Sequence, residues 1–238
     1  NFSVSAYAEP RLNDFLDTIE RLPDVRIVGQ RQQLWGTPVY YESESSAGYY
    51  NHRFADTNSL LPGMDYDAGR VDSYQQLLLP HTFFGWLNLT PRVGGRYTYY
   101  STATGPGATT GQVNRWVFDT GVEASVKASR LWPDAENKLF DLSGLRHIIT
   151  PSVNYAYVPT PNALGTNTIP QFDPQLPSLR LLPITFPEYN SIDSIQGENV
   201  FRFGVNNRLQ TKRDGQIVDF LNWDLYTDWN LRPNADQT

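Results

Sequence analysis

Between Arg115 and Ser129 the side chains alternate between apolar and polar with a period of two residues. One face of this stretch would carry Trp116, Phe118, Thr120, Val122, Ala124, Val126 and Ala128, and the other Arg115, Asp119, Gly121, Glu123, Ser125, Lys127 and Ser129. Only Val117 breaks the pattern, because it falls on the polar face. A strand of a globular protein runs about 5–6 residues, whereas a tilted strand needs roughly 9–11 residues to cross the hydrocarbon core of a bilayer. The length of the alternation therefore predicts a membrane-spanning strand.

The same alternation returns in three other segments. Their apolar members are Leu87, Leu89, Val93, Tyr97 and Tyr99 in the first, Phe201, Phe203, Val205 and Leu209 in the second, and Leu221, Trp223, Leu225, Trp229 and Leu231 in the third. Asn207 interrupts the second of these segments. A soluble β-sandwich also buries one face of each strand and exposes the other, so the alternation by itself leaves both architectures open.

Composition narrows the class of protein. Of the 238 residues, 39% are hydrophobic and 13% are aromatic, which is too many for a disordered chain, and only 18% are charged, which is few for a soluble surface. The mean hydropathy of -0.47 and the lack of a long apolar run exclude a helical membrane span, but a barrel needs only alternate residues to be apolar. The net charge of -6 argues against a nucleic-acid partner. Because the chain has no cysteine, it has no disulfide or thiolate metal site.

These patterns predict an all-β, antiparallel protein of about nine strands, which we interpret as a segment of a larger transmembrane β-barrel. The predicted strands are 2–8, 25–33, 38–50, 69–79, 85–102, 113–130, 145–158, 198–213 and 216–232. Complete bacterial barrels have even strand numbers, whereas this chain has an odd number and both its ends lie close to predicted strands. We therefore expect a piece of a longer protein, with any export signal upstream.

The predicted connections alternate between long and short, as the two ends of a barrel require. Asp214-Gly215 predicts a two-residue hairpin, because a type I′ turn needs positive φ at both central positions. The segment 159–197 is rich in proline, which prevents regular strand pairing, and we expect an outer loop there. The connection 131–144 is the one that breaks the alternation.

Residues 145–159 read LRHIITPSVNYAYVP, and they resemble the H-x-x-x-P-x-V-x-Y-x-Y-V-P strand of the LptD family of lipopolysaccharide-assembly barrels, also called organic solvent tolerance proteins. Tyr189 to Ile195 are similar to the Y-x-x-x-D-R-I segment of that family, and Asn199, Gly204, Asn207 and Arg208 follow in the order of its next strand. Asp193 matches the segment, whereas Ser194 stands where the family often has Arg. The runs RLPDV from Arg21 and GTPVYY from Gly36 also resemble family signatures ahead of long strands.

The resemblance implies an outer-membrane translocon of Gram-negative bacteria that passes lipopolysaccharide from periplasmic bridge proteins to the outer leaflet. Such a protein performs no bond chemistry and needs no cofactor or metal, and in many lineages it encloses a plug lipoprotein, LptE. The periplasmic jelly-roll domain of the family and its first and last barrel strands are not recognised in residues 1–238. We therefore expect a partial barrel domain that contacts outer-membrane lipid and includes 159–197 as an outer loop.

The polar face of the strands is expected to line the barrel lumen. The candidate lumen-lining residues are Arg92, Arg96, Arg115, Glu123, Lys127, Arg202, Arg208, Asp224 and Asp228. The candidate lipid-facing residues are Trp116, Phe118, Val122, Phe201, Phe203, Trp223 and Trp229. The saccharide part of lipopolysaccharide is anionic, and Arg offers a planar fork of donors to phosphate oxygens. The alternative is that these charges pair with one another across neighbouring strands.

Aromatic residues near the predicted strand ends are expected at the membrane interface. They are Tyr97, Tyr99, Tyr100, Tyr155, Tyr157, Trp86, Trp116, Trp132 and Trp223. A soluble carbohydrate-binding β-sandwich would use similar rings to stack on sugars, and a generic porin or transporter barrel would show the same girdle, so both stay open as alternatives. An enzyme is disfavoured, because the three histidines are far apart in sequence and no Gly-x-Ser-x-Gly motif is present.

Overall fold

The computed structural model of the chain describes residues 1–56, 63–165, 167–173, 184 and 189–231. These residues form eleven strands and one 3-10 helix, Tyr189–Ser194. The strands are β1 (Phe2–Glu9), β2 (Thr18–Gln33), β3 (Tyr40–Arg53), β4 (Tyr66–Leu78), β5 (His81–Phe83), β6 (Leu87–Tyr100), β7 (Val113–Val126), β8 (Ala128–Asn137), β9 (Leu142–Val158), β10 (Glu198–Arg213) and β11 (Gln216–Asn230). In this part of the chain no helix is long and apolar enough to cross a membrane.

The strands form one antiparallel sheet in the order β1-β2-β3-β4-β6-β7-β9-β10-β11. Two short strands lie off this path, because β5 pairs with β6 and β8 pairs with β9. The path therefore contains nine strands, and the all-β, antiparallel fold predicted from the two-residue alternation is confirmed.

The segment 113–144 is arranged differently from the sequence prediction of one strand over 113–130 and a loop over 131–144. Strand β7 ends at Val126, and β8 continues the strand from Ala128 to Asn137. Pro133 gave this stretch the character of a loop, but among the described strands β8 pairs only with β9, and an edge strand tolerates the missing N–H of proline. The register shifts between Trp132 and Glu136. The connection to β9 is then the short turn 138–141, which restores the alternation of long and short connections.

Strand β2 also departs from the prediction, since it begins at Thr18 and not at residue 25. Pro23 interrupts the alternation of side chains there, and the structure accommodates it with a shift of register between Arg21 and Asp24 against β3. The first connection is therefore 10–17, shorter than the predicted loop 9–24.

Three of the short connections use the same two-residue turn. The paired φ values are 44° and 75° at Trp35-Gly36, 54° and 73° at Phe84-Gly85, and 49° and 79° at Asp214-Gly215. The type I′ turn predicted at Asp214-Gly215 is thus confirmed, because both of its central residues have positive φ. A non-glycine residue with positive φ carries a conformational cost on the order of 1–3 kcal/mol. Bulky residues are rarely found in this region of the backbone.

The chain divides into two compact units. Unit 1 contains Asn1–Leu79, Arg92–Thr120 and Tyr157–Glu198, and unit 2 contains Pro80–Pro91, Gly121–Ala156 and Asn199–Thr238. The long connections 10–17, 54–65, 101–112 and 159–197 all belong to unit 1. Unit 1 is therefore the part in which the long loops can fold back on the strands.

In unit 1 the buried face of the sheet is the polar one. The register of β4 against β6 places Arg70 opposite Tyr100, Asp72 opposite Thr98 and Tyr74 opposite Arg96, and all six side chains are buried. The residues that alternate with this face along the same two strands point to the other face, where Val71 is 48% and Val93 is 42% exposed. A soluble sandwich would bury the apolar face, so this arrangement is the reverse of a soluble core.

Gly94 provides a test of how closely this buried face is packed. A Cβ added to it would lie 2.7 Å from the hydroxyl oxygen of Tyr74 and would collide with the carboxylate of Asp119, two groups that hydrogen-bond to each other. We expect Gly94→Ala to lower the free energy of unfolding by about 1–3 kcal/mol through overpacking, measured by urea denaturation in lipid bilayers. The control is Gly95→Ala, whose added Cβ would meet only the carbonyl oxygen of Val117 at 3.9 Å. Equal effects of the two substitutions would contradict close packing on this face.

Candidate functional site: a buried polar face and its covering residues

The candidate site is the buried face of β4, β6 and β7 in unit 1, here called the polar face. It consists of the side chains of Arg70, Asp72, Arg92, Arg96, Thr98, Arg115 and Asp119, all of which are buried. The two-residue period of the strands places them together, since alternate residues of neighbouring strands share one face. Two pieces of the long connection lie against the polar face, Ile169–Asp173 and Ile192–Ile195, and we call them the covering residues.

Arg70 joins the polar face to both pieces of the covering residues. Its Nη1 atom donates to Asp173 Oδ1 at 3.0 Å and to Asp193 Oδ1 at 2.8 Å, and its guanidinium carbon lies 4.6 Å from the centre of the Tyr50 ring. All three charged side chains are almost completely removed from solvent. Because a buried ion pair that loses one partner costs about 3–5 kcal/mol, these contacts hold the two pieces in place.

Asp193 is the most fully satisfied acceptor of the site. Oδ1 accepts from the Tyr100 hydroxyl at 2.6 Å as well as from Arg70, and Oδ2 accepts the backbone N–H groups of Phe172 at 2.7 Å and Asp173 at 3.0 Å. The N–H of Asp193 in turn donates to Asp173 Oδ2 at 2.9 Å. Asp193 therefore accepts four hydrogen bonds, from Arg70, Tyr100 and two backbone N–H groups.

Asp173 is the second carboxylate that binds the same guanidinium, and among the described residues it accepts fewer hydrogen bonds than Asp193 does. Burial and the neighbouring Asp193 carboxylate raise the pKa of the Asp173 carboxyl. Two carboxylates that share a single Arg leave one negative charge in excess, and the group with fewer donors takes up the proton more readily.

Val117 explains the single break in the Arg115–Ser129 alternation. It is buried on the polar face and packs with Val158 and with Ile195 of the covering residues. Arg115, two residues earlier, donates from Nη2 to the carbonyl oxygen of Ile192. The apolar exception is thus the position at which the covering residues contact β7.

Aromatic residues at the end of β3 and the start of β4 contact the first piece of the covering residues, 169–173. The Tyr50 and Phe172 rings stack with their centres 5.3 Å apart, and the Tyr66 hydroxyl donates to the carbonyl oxygen of Gln171 at 2.8 Å. Tyr100 is also completely buried, where it packs with Ala163 and Ile169, so its expected place in an interfacial girdle was wrong. Its hydroxyl donates a hydrogen bond to Asp193 Oδ1.

In Arg96 and Arg115 of the polar face most guanidinium nitrogens lack an acceptor in the described part of the chain, whereas in Arg70 only Nε does. Arg96 is completely buried, and its closest carboxylate contact is Nε to Asp72 Oδ2 at 3.4 Å. Within the residues that the structure describes, no nitrogen of its guanidinium makes a hydrogen bond, and the same holds for Nε and Nη1 of Arg115. Asp72 instead accepts from Thr98 at 2.7 Å. The polar face therefore combines tightly paired charges with guanidinium donors that are still available.

The structure places the predicted residues of unit 1 on opposite faces of its strands. Arg92, Arg96 and Arg115 are buried together, and Trp116 and Phe118 are 65% and 49% exposed on the other side of β7. The Trp116 ring packs against Tyr97, with 4.4 Å between the ring centres.

In unit 2 the hairpin of β10 and β11 pairs several predicted residues directly. Arg202 lies opposite Asp228 and makes two hydrogen bonds of 2.7 Å to its carboxylate. Arg208 lies opposite Asn222, and Asp224 lies opposite Asn206, on the same face of the hairpin as Arg202. The predicted lipid-facing residues of this hairpin, Phe201, Phe203, Trp223 and Trp229, share the other face.

The remaining predicted residues lie on and beside β7. Val122 is half-buried, and Glu123 and Lys127 are exposed. Neither Glu123 nor Lys127 has an ion pair among the described residues, and Lys127 lies between the two strands β7 and β8. These two charges are therefore not gathered into the polar face.

Asn207 interrupts the apolar face of β10 because it has a polar partner there. The ring N–H of His147 at Nε2 donates to Asn207 Oδ1 over 3.1 Å, and the same ring stacks on Trp223 with 5.9 Å between centres. The two polar residues on this face thus satisfy each other. Across the described ranges, no cluster of three or more His, Asp or Glu residues is arranged to hold a metal ion.

The sequence analysis missed Arg70, Asp72 and Asp173. Arg70 and Asp72 alternate with Val71 and Ser73 in the predicted strand 69–79, so their pattern was available. Asp173 lies in the proline-rich segment, where no periodicity indicates which side chain turns towards the strands. Asp193 was marked only by its place in the segment similar to the LptD family.

Comparison with protein families gives one decisive match. Residues 10–222 match the family model LptD, described as LPS transport system D. The chain belongs to the LptD family. The match covers most of the chain and supports a role in lipopolysaccharide transport and assembly at the outer membrane. A search of curated proteins finds no match.

Replacing either acid near Arg70 tests the unequal roles of the two carboxylates. We expect Asp193→Asn to release the covering residues at a cost of about 1–3 kcal/mol for each buried donor left without an acceptor, because an amide offers one acceptor oxygen where the carboxylate offers two. Asp173→Asn is the matched control and should cost less, since it leaves the four hydrogen bonds to Asp193 in place. The measurement is hydrogen exchange at the amide of Phe172, which donates to Asp193. Equal exchange in the two variants would refute the assignment.

The raised pKa of Asp173 also predicts a dependence on pH. A carboxyl whose pKa is higher in the folded state stabilises that state fully below its unfolded pKa of about 3.9, and the contribution is lost as pH rises through the folded value. We therefore expect the covering residues to become less protected as pH increases above about 4, in hydrogen-exchange data corrected for intrinsic rates. Asp173→Asn should remove this slope. A variant as pH-dependent as the original chain would exclude Asp173 as its source.

Proposed function

We propose that the chain forms part of the wall of an outer-membrane barrel that inserts lipopolysaccharide into the outer leaflet. The family match supports lipopolysaccharide transport in general. The more specific role is supported by the reversed burial in unit 1, where charged side chains are enclosed and apolar side chains are exposed. A wall between lipid and an aqueous passage requires this arrangement.

In this proposal the polar face lines the passage for the hydrophilic part of lipopolysaccharide. The sugars and phosphates of that molecule are hydrophilic and anionic, and the available donors of Arg96 and Arg115 suit phosphate oxygens. The paired arginines have a different role, because Arg70 and Arg202 hydrogen-bond to carboxylates, whereas no nitrogen of Arg96 hydrogen-bonds to Asp72. The proposal thus divides the arginines of these strands into substrate contacts and structural ion pairs.

The covering residues would regulate access to this passage. They lie on the polar face and are held by Arg70 and Arg115, so movement of saccharide along these strands requires them to shift. The proposal further includes a plug lipoprotein similar to LptE, periplasmic bridge proteins that deliver the substrate, and outer-membrane lipid around the exposed face. Trp116 and Phe118 would contact that lipid. No enzymatic step is required.

Depletion of the protein tests the proposed function directly. We expect surface lipopolysaccharide to fall and large hydrophobic antibiotics to enter, because the outer leaflet would no longer be renewed. The measurements are labelling of surface lipopolysaccharide and the minimum inhibitory concentration of such an antibiotic. A porin would instead change the uptake of small hydrophilic solutes, and unchanged surface lipopolysaccharide after depletion would overturn the proposal.

Single substitutions test the division between available and paired arginines. We expect Arg96→Gln and Arg115→Gln to slow lipopolysaccharide delivery, because each substitution removes donors that the proposal assigns to phosphate oxygens. Arg202→Gln is the control, since its partner is Asp228 within one hairpin, and it should leave delivery unchanged. Delivery at the original rate in both test variants would remove substrate contact from the proposal without affecting the barrel assignment.

A further inference from the structure

Two of the two-residue turns carry a bulky aromatic residue where the backbone favours Asn, Asp or Gly. Trp35 and Phe84 occupy the first central position of a type I′ turn with φ of 44° and 54°, the position that Asp214 fills in the third turn. An aromatic residue is an outlier in this region of the backbone. The conformational strain calls for an explanation, because Asn-Gly or Asp-Gly would form the same turn more easily.

Packing inside the chain does not supply that explanation. The Trp35 side chain is 93% exposed, and the Phe84 side chain is 83% exposed. At the second turn the exposed rings form a continuous group, with 6.5 Å between the centres of Phe83 and Phe84 and 6.3 Å between those of Phe84 and Trp86. Each turn therefore places a strained aromatic residue in contact with the surroundings.

Both aromatic turns are also free of charge. No Asp, Glu, Lys or Arg occurs in residues 32–41 or in residues 73–91. The third turn differs, since Lys212, Arg213 and Asp214 directly precede its glycine. Charged groups are expensive to bring into a bilayer, whereas Trp and other aromatic rings favour its interface. The lack of charge at two turns favours contact with a lipid surface, and the charges at the third turn favour contact with water.

We propose that the turns Trp35-Gly36 and Phe84-Gly85 are lipid anchors that insert their rings into the headgroup region of the membrane. The turn Asp214-Gly215 remains in water. A partner protein would also accept aromatic rings, but protein interfaces typically surround such anchors with a polar rim, and these turns have no charged residues beside the rings. The inference requires only that the strands span a bilayer, and it does not depend on what the protein transports.

Fluorescent labels beside the turns test the proposal in the full-length protein in phosphatidylcholine nanodiscs. The 238 residues contain no cysteine, so Gln33→Cys, Thr82→Cys and Gln216→Cys each add to them one labelling site, which lies near one turn and leaves the rings intact. We expect phosphatidylcholine brominated near its headgroup to quench the labels at 33 and 82, and aqueous iodide to quench the label at 216. Iodide quenching as strong at 33 and 82 as at 216 would overturn the proposal.

Removal of the rings separates lipid anchoring from a merely structural role. Trp35→Asn and Phe84→Asn introduce Asn-Gly, the preferred pair for this turn, so the unfolding midpoint should stay the same or rise. We expect quenching by the brominated lipid to be lost at the neighbouring label in each variant, whereas Asp214→Asn should change nothing at 216. Quenching that persists without the rings would overturn the proposal. So would shielding of the labels that depends on an added plug lipoprotein and is insensitive to brominated lipid.

Discussion

The ion pairs of Arg70 are the contacts on which the organisation of unit 1 depends. One guanidinium on β4 binds Asp173 and Asp193 from two parts of a long connection, and neither part has regular strand pairing of its own. The proline content of 159–197 removes the option of sheet hydrogen bonds. Buried ion pairs of side chains therefore hold this connection in place, whereas backbone hydrogen bonds hold the strands together elsewhere in the chain.

Charges are buried here because the sheet is inverted relative to a soluble core. Every second side chain of β4, β6 and β7 faces the enclosed side, and on this side most of them are polar or charged. Burial of an ion is unfavourable unless a partner compensates for it, so the chain supplies carboxylates on the strands and on the covering residues. Arg96 and Arg115 are only partly compensated, which gives a transport protein donors that can serve a passing anion.

The exceptions to the alternation were more informative than the alternation itself. Val117 marks the contact with Ile195, and Asn207 marks the contact with His147. Within its own strand each residue is an unexplained exception to the pattern, because its partner lies far away in sequence. Similarly, the loop assigned to 131–144 was wrong because Pro133 and the charges around it have the composition of a loop, and only the sheet order reveals that β8 has an edge on which proline is allowed.

The sequence by itself determined the fold class, most strand positions, the faces of the strands, the Asp214-Gly215 turn and the resemblance to the LptD family. It could do so because a period of two residues and the φ requirements of a short turn are local properties of the chain. Only the tertiary structure decided which arginines are paired, that Asp173 and Asp193 meet on Arg70, and that Tyr100 is buried and not interfacial. These facts depend on contacts between residues up to 123 positions apart, and no local pattern encodes which distant side chain will fold back on a given strand.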